Sequence, residues 1–305
     1  MIKDKHAKSS GVWCGLNRPD LSEKEADIVI FGIAYDRAVS YREGAAKAPG
    51  LLIKNTYTMT AFNEDGMSIE KLKVFDGGDV TEQDREKMNR EVEDYVCSLV
   101  KEGVFFTCIG GDHSVTIPVE AGIDKALDGQ FGIIHIDAHL DLVDVFDGDK
   151  YSHACVQRRA FEFENIGGPE NFYFIGIRSF EPDEIAFISE NKVHMKTAKQ
   201  IYTEGIQAVA ADVVEKMKKF PYIYLTIDID GLDPAYAAGT GTPQCGGLST
   251  RELFYFLEVI FGNLNIIGFD IVEVAPDLDP SLSSMYAARN IIVECWGHYL
   301  KRRLL

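Results

Sequence analysis

Apolar and polar residues along this chain alternate between two periods. Short apolar runs of strand character recur at 26–34, 73–75, 104–109, 131–136, 172–177, 193–195, 222–229 and 265–271. Stretches of helical spacing lie between them. Over 83–102, Met88, Val92, Tyr95, Val96 and Leu99 fall on one stripe, the pattern of a helix with one face on a core. Val209, Val213 and Met217 do the same over 206–220. Ser249-Thr-Arg-Glu252 reads as a capping box opening a helix at 253–261, and a last amphipathic helix over 285–303 ends in basic residues, favourable at a helix C-terminus. Strands alternating with helices predict an α/β fold, a three-layer α/β/α arrangement around a mainly parallel sheet of about eight strands. No repeat, low-complexity tract or linker interrupts residues 1–305, so one domain is expected.

Composition narrows the function. The formal net charge of −17 argues against nucleic acid or an anionic membrane as partner, since both require basic patches. No apolar stretch has the length of a membrane span, and the basic first ten residues lead into no apolar run, so neither a span nor a secretory signal is expected. Six cysteines are scattered without paired spacing, which suits reduced thiols and a cytoplasmic location.

The chemistry gathers at strand ends. Ile136-Asp-Ala-His-Leu-Asp141 and Thr226-Ile-Asp-Ile-Asp-Gly-Leu-Asp-Pro234 each follow an apolar run, and Gly110-Gly-Asp-His-Ser114 follows another. In an extended chain, residues two apart share a side, so Asp137, His139 and Asp141 are expected to converge, as are Asp228 and Asp230. Catalytic groups of open α/β sheets collect at the C-terminal ends of the strands, where His113 and, after 265–271, Glu273 also lie. Four carboxylates and two imidazoles at one point repel and desolvate each other unless cations sit among them, and four negative charges balance two divalent ions. A mostly oxygen donor set with some imidazole favours Mn²⁺ over Zn²⁺ and Mg²⁺. Two such ions activate a shared water as hydroxide, so the reaction class is metal-assisted hydrolysis.

Structural readings compete at several positions. Strand-end aspartates also serve as caps, and Asp233 before Pro234 is read as one. His135, inside a strand, is read as a packed core histidine. Cys155 is not needed as a nucleophile where a dinuclear site supplies hydroxide. Gly110-Gly and Gly239-Thr-Gly are turns rather than phosphate cradles, because no lysine of a phosphate loop follows. Asp144, Asp147 and Asp149 are read as a solvated loop that attracts a cationic substrate only if it closes over the pocket.

Taken in order, Gly110-Gly-Asp-His-Ser114, Asp137-Ala-His-Leu-Asp141 and Asp228-Ile-Asp-Gly-Leu-Asp-Pro234 resemble the ureohydrolases: arginase, agmatinase, formimidoylglutamase and guanidino-acid hydrolases. The resemblance runs from Phe31-Gly-Ile-Ala-Tyr-Asp36 to Glu273-Val-Ala-Pro276, and Gly44-Ala-Ala-Lys-Ala-Pro49 looks like the family's early substrate-side loop. Ala237-Ala-Gly-Thr-Gly-Thr-Pro243 with Gly246-Gly-Leu248 resembles the agmatinase branch more than arginase. The resemblance implies an arginase-like fold, with one Mn²⁺ on His113, Asp137, Asp141 and Asp228 and a second on Asp137, His139, Asp228 and Asp230, so that Asp137 and Asp228 bridge. It further implies that Glu273 pairs with a substrate guanidinium and that His153, in Tyr151-Ser-His-Ala-Cys-Val-Gln-Arg-Arg159, handles protons as the amine leaves. Two departures stand out: Ala238 occupies a usual proline position, and Ala154-Cys155 a usual Gly-Thr. The implied activity is agmatine hydrolysis to putrescine and urea, in polyamine biosynthesis, by a cytoplasmic trimer or hexamer. A guanidino-acid hydrolase is the nearest rival, with Arg42, Arg158 or Arg159 to hold its carboxylate; arginase is another. A non-catalytic member using the fold for assembly is the rival of another class.

Overall fold

The computed structural model describes residues 11–304. The sequence expectation about the first ten residues lies outside that range. The strands are β1 Ile28–Ile33, β2 Val74–Val80, β3 Phe105–Ile109, β4 Gly132–Ile136, β5 Phe172–Ile177, β6 His194–Thr197, β7 Ile223–Asp228 and β8 Ile266–Val272. They form one eight-stranded sheet in the order β2-β1-β3-β8-β7-β4-β5-β6. Every pairing between them is parallel.

The helices are α1 Ala48–Lys54, α2 Arg85–Lys101, α3 Thr116–Ala126, α4 Val156–Ala160, α5 Pro182–Asn191, α6 Ala198–Glu204, α7 Ile206–Met217, α8 Thr250–Asn263 and α9 Ser283–Leu304. Strands buried on both faces must be apolar on both. In β1, Ile28 and Ile30 enter the core shared with α1 and α7–α9, while Val29, Phe31 and Ile33 enter the core shared with α2 and α3. That division makes the three layers the sequence predicts. The capping box at α8 forms, with Ser249 accepting from the Glu252 N–H and Glu252 from the Ser249 N–H.

The sheet extends beyond expectation at β2, which runs on through Gly77-Gly78-Asp79 to Val80. Glycines weaken a strand signal, and here they are used sterically. The pairing with β1 shifts register between Ile30 and Phe31, and a Cβ at Gly77 would collide with the Tyr95 hydroxyl on α2.

The middle of the sheet, β3-β8-β7-β4, places four C-terminal strand ends side by side. The three Asp/His motifs leave from β3, β7 and β4, and Glu273 follows β8. Among the described residues, no helix is long and apolar enough to cross a membrane.

Candidate active site

After β3 the chain turns through Gly110 and Gly111 into a 3₁₀ turn, His113–Val115. Gly111 passes so close to Tyr35 that any Cβ would overlap its carbonyl oxygen. Asp112 caps the turn, accepting from the Ser114 N–H at 2.9 Å and the Ala38 N–H at 2.8 Å. It tethers the β1 loop to the β3 loop.

The aspartates converge for a different local reason from the one the sequence suggests. β4 ends at Ile136, and the Asp137 carboxylate accepts the His139 N–H at 2.6 Å, folding the chain into a turn. Asp141 then takes a left-handed conformation, φ 54°. Asp228 ends β7, and its carboxylate accepts the Asp230 N–H at 2.8 Å as a 3₁₀ turn begins. Turns, rather than extended backbone, bring these side chains together. Glu273, directly after β8, also has a left-handed backbone, φ 61°, in a region that costs a non-glycine residue of order 1 kcal/mol or more. Its N–H donates to the Gly111 carbonyl at 2.8 Å, which holds it there.

His113 Nδ1 lies 3.1, 3.0 and 3.3 Å from carboxylate oxygens of Asp137, Asp141 and Asp228. His139 Nδ1 lies 3.4 Å from Asp137 and 3.2 Å from Asp230. The Asp137 carboxylate turns Oδ2 to the first group and Oδ1 to the second, the placement expected of a bridging ligand. Asp228 likewise turns Oδ2 to His113 while its Oδ1 accepts the Asp230 N–H, as Asp137 Oδ1 accepts the His139 N–H. All six expected ligand residues are therefore together.

The donor set suits cations. His113 Nδ1 and Asp137 Oδ2 are buried without a hydrogen-bonding partner, though only 3.1 Å apart. Burial, followed by Asp230 and Asp137, pushes the Asp228 carboxyl well above the carboxylate range. Burial opposes charge on His139, but Asp230 and Asp137 outweigh it and raise the imidazole to about 12. Asp228 and Asp230 resist ionising, and His113 and His139 resist losing protons. Such a cluster lacks positive charge, which metal ions would supply.

His135 corrects the sequence reading. It is fully buried in β4, as expected, but its ring stacks on His113 with an interplanar angle of 2°. Its Nε2 lies 3.1 Å from Asp137 Oδ2 and 3.2 Å from the His139 carbonyl. The carbonyl can only accept, so Nε2 carries the proton and donates it there, beside the Asp137 carboxylate. Thr226 does similar work for His113, its Oγ1 lying 2.9 Å from Nε2.

His153 and Glu273 form the second half of the site. His153 Nδ1 is 2.9 Å from Glu273 Oε1, which also accepts the His113 N–H at 2.9 Å. Glu273 Oε2 is buried without a partner. Burial works against the Glu273 charge, but the imidazole beside it keeps its pKa below the usual value. Burial likewise opposes charge on His153, and Glu273 outweighs it, raising the ring to about 9. The Ser40 N–H, donated to Nε2 at 3.0 Å, acts the other way, because it requires a bare nitrogen there.

A cleft of ≈ 220 Å³ opens over these groups. Besides site residues, Ser40, Phe146, Phe180, Glu181, Glu184 and Gln244 line it. The acidic loop contributes little: Asp144 pairs with Arg159, and Asp149 with Arg85 at 2.7 Å. Neither residue reaches the cleft wall, nor does Asp147. The arginines considered for a carboxylate are also engaged. Arg42 donates to the Thr240 and Gly241 carbonyls, and Arg158 lies over the Phe187 ring. Asp233 is a turn cap, accepting the N–H groups of Ala235, Gly246 and Gly247. Cys155 is buried and its thiol is pushed up to about 11 by that burial, which leaves no thiolate nucleophile. Ser40 and Arg178, whose guanidinium donates to the Asp230, Leu232 and Gln244 carbonyls, escape the sequence reading. Both follow strand ends, the one signal that could have found them.

A parallel sheet whose central strand ends bring four aspartates and two histidines to one buried point defines a metal-dependent hydrolase. The Arginase family model matches residues 26–297. An agmatinase from Bacillus anthracis is 33% identical over 277 residues, 90% of this chain and 92% of that protein. A guanidinobutyrase from Pseudomonas aeruginosa is 30% identical over 88% of this chain and 85% of its own length. The agmatine ureohydrolase of Thermoplasma volcanium superposes with a TM-score of 0.83 at 29% identity, covering 100% of this chain and 96% of the other. The chain belongs to the arginase family. It is an agmatinase-like amidino hydrolase, which sets aside the non-catalytic alternative.

Proposed function

We propose that this enzyme cleaves a guanidine with a cationic far end, agmatine foremost, to urea and putrescine, and that it uses two Mn²⁺ per chain. The observation that carries the substrate reading is the cleft wall. It includes Glu181 and Glu184 above the metal-ligand cluster and no lysine or arginine. Such a wall attracts an ammonium tail and leaves the carboxylate of guanidinobutyrate without a partner. Glu184 is spent structurally, accepting the Leu142 and Glu181 N–H groups, and burial raises its carboxyl to about 7. Glu181, exposed at the mouth, is the better tail contact.

His113, Asp137, Asp141 and Asp228 would hold one ion, and Asp137, His139, Asp228 and Asp230 the other. When bound, the pair supplies hydroxide at neutral pH for attack on the guanidinium carbon. The remaining work falls to side chains. Glu273 Oε2, buried and unpartnered, is the acceptor for a guanidinium N–H, with Oε1 fixed by His113 and His153. That contact aims the planar group at the cluster and excludes water from one side. His153 supplies the proton that the departing amine needs.

The family match over most of the chain supports a single catalytic domain. A cytoplasmic trimer or hexamer remains our expectation from the family resemblance. The test is urea release from agmatine, arginine and guanidinobutyrate, with formimidoylglutamate followed by its own product, in enzyme loaded with Mn²⁺, Zn²⁺ or Mg²⁺. We expect agmatine and Mn²⁺ to give the highest kcat/KM. Equal or reversed preference between agmatine and guanidinobutyrate would refute the substrate.

A further inference from the structure

Arg178 stands just past the end of β5, and its guanidinium donates to backbone carbonyls on both sides of a neighbouring strand. In the sheet, β4 lies between β5 and β7. Nη1 donates to Gly176, in β5, at 3.1 Å. Nη2 donates to Asp230 at 2.6 Å and to Leu232 at 3.1 Å, where the chain turns after β7. Nη2 and Nε both reach the carbonyl of Gln244, a residue of the cleft wall, at 2.7 and 3.2 Å. One side chain thus ties together the two strands that flank β4, the strand that leads into Asp137 and His139. Gly176 and Gly231 close on the Asp137 backbone between them. A Cβ at Gly176 would lie 3.0 Å from the Asp137 carbonyl oxygen, and one at Gly231 3.1 Å from its nitrogen. Gly247 leaves room for the guanidinium, since a Cβ there would come within 2.6 Å of Nη2.

These contacts fall on one half of the ligand cluster. Asp230 meets the β4 turn twice: its Oδ1 accepts the Ala138 N–H at 3.1 Å, and its Oδ2 lies 3.2 Å from His139 Nδ1. The Arg178 N–H holds the same turn, donating to the Ala138 carbonyl at 2.8 Å. The other half has other supports. Thr226 and Glu273 steady His113, and the Asp141 carbonyl accepts the Arg158 N–H at 3.1 Å. We propose that Arg178 is a positioning residue for the metal ion read onto Asp137, His139, Asp228 and Asp230, its guanidinium fixing the Asp230 turn so that the carboxylate faces His139. This rests on the two-ion reading of the cluster. Only a planar fork meets carbonyls that approach from both β5 and β7, whereas the donors of an ammonium radiate from a single atom. Without the fork the gathered carbonyls lose their donor, and the turn that carries Asp230 relaxes away from His139.

Arg178→Lys tests this, because it keeps the charge and the backbone N–H and removes only the fork. After dialysis against dilute Mn²⁺, elemental analysis should find two ions in the parent and one in the variant. Electron paramagnetic resonance should change from a coupled pair to an isolated Mn²⁺. Titration should show the Kd of the lost ion raised by about 10- to 100-fold, the usual effect of an outer partner on metal affinity, and that of the retained ion unmoved. Saturating Mn²⁺ should restore both the missing ion and the parental kcat. Arg178→Lys/His139→Ala should hold as much metal as His139→Ala alone, because both changes act on one ion. Arg178→Gln, a shorter planar amide, should behave like the lysine variant and replaces it if that chain does not fold. Two ions held as tightly as in the parent, or loss of both together, would overturn the proposal. So would a kcat that stays low once both ions are back. A parent that never holds two ions refutes the two-ion reading instead, and the metal-free chain still decides the role of Arg178. There Arg178→Lys should speed hydrogen exchange at the Ala138 amide, which donates to Asp230, and leave the Ser114 amide, which donates to Asp112, at the parental rate. An unchanged rate at Ala138 rejects the positioning role.

Discussion

Two sets of buried acids in this molecule are built on opposite principles. Asp270, in the middle of β8, is fully buried and surrounded by donors: the Thr116 hydroxyl at 2.6 Å, the Tyr224 hydroxyl at 2.6 Å and the Ile227 N–H at 3.3 Å. Glu120, on α3 and equally buried, accepts from Gln157 Nε2 at 3.1 Å. Burial raises its carboxyl well above the usual range. At the strand ends, Asp137, Asp141, Asp228 and Asp230 turn toward one another, with the imidazoles of His113, His135 and His139 set among them. A buried carboxylate whose lone pairs are met by hydrogen bonds is structure. One whose neighbours are other carboxylates is a site waiting for a cation.

The comparison can be broken most severely at Asp137. In Asp137→Asn the carboxylate shared by both groups is lost, and we expect loss of both ions and nearly all turnover, read by elemental analysis and urea release. In the metal-free protein, Asp228→Asn removes the repulsion that, with burial, holds that carboxyl above the carboxylate range, so its melting temperature should equal or exceed that of the stripped parent. A stripped variant much less stable than the stripped parent would place Asp228 with the structural acids.

His153→Ala comes next. It should keep its metal and lose roughly 10²–10⁴ in kcat, the usual range for a general acid–base group. Unchanged kcat would reject the role. Asp270→Asn should do the converse: activity and metal content persist, while stability falls by about 1–3 kcal/mol, the cost of misdirecting a buried hydrogen bond. Denaturant unfolding with and without metal checks that the loss is the same in both forms.

Smaller effects sharpen the substrate reading. Glu181→Gln should narrow the kcat/KM preference for agmatine over guanidinobutyrate by about fivefold, roughly the 1 kcal/mol of an exposed ionic contact. Asp144→Asn should leave the ratio alone, because that carboxylate is already held by Arg159. The smallest effect is expected of Glu120→Gln, an isostere of the protonated acid. Below the reference carboxyl value of 4.5, Glu120 is neutral in both folded and unfolded chains, and variant and parent should melt together. As pH rises past that value the unfolded chain ionises while the folded one keeps its proton, so the parent loses stability and the variant does not. Melting curves from pH 4 to pH 8 that stay parallel would show that Glu120 is not held neutral.

Much of this was legible in the order of residues. Strand ends can be read from apolar runs, and the rule that ligands gather there points to His113, Asp137, His139, Asp141, Asp228, Asp230 and Glu273 from the sequence alone. The same rule passed over Ser40, because a serine among polar loop residues carries no pattern of its own. His135 was misjudged because burial and site membership are separate properties. Its position inside β4 says that it is buried, but only the turn at Asp137 aims a carboxylate back at it.

Sequence alone determined the layers, the strand ends and the chemical identity of the cluster, because periodicity and residue type act locally and survive without knowledge of neighbours. Tertiary structure decided which charges remain free. Arg42, Arg158 and Arg159 were each credible anchors for a carboxylate until the fold engaged them elsewhere, and the acids of the 141–149 loop were credible anchors for an ammonium until arginines took Asp144 and Asp149. The order of a chain fixes which charges exist, whereas their partners come from segments tens of residues away, and only the packed fold brings Arg85 to Asp149 or Ser40 to His153.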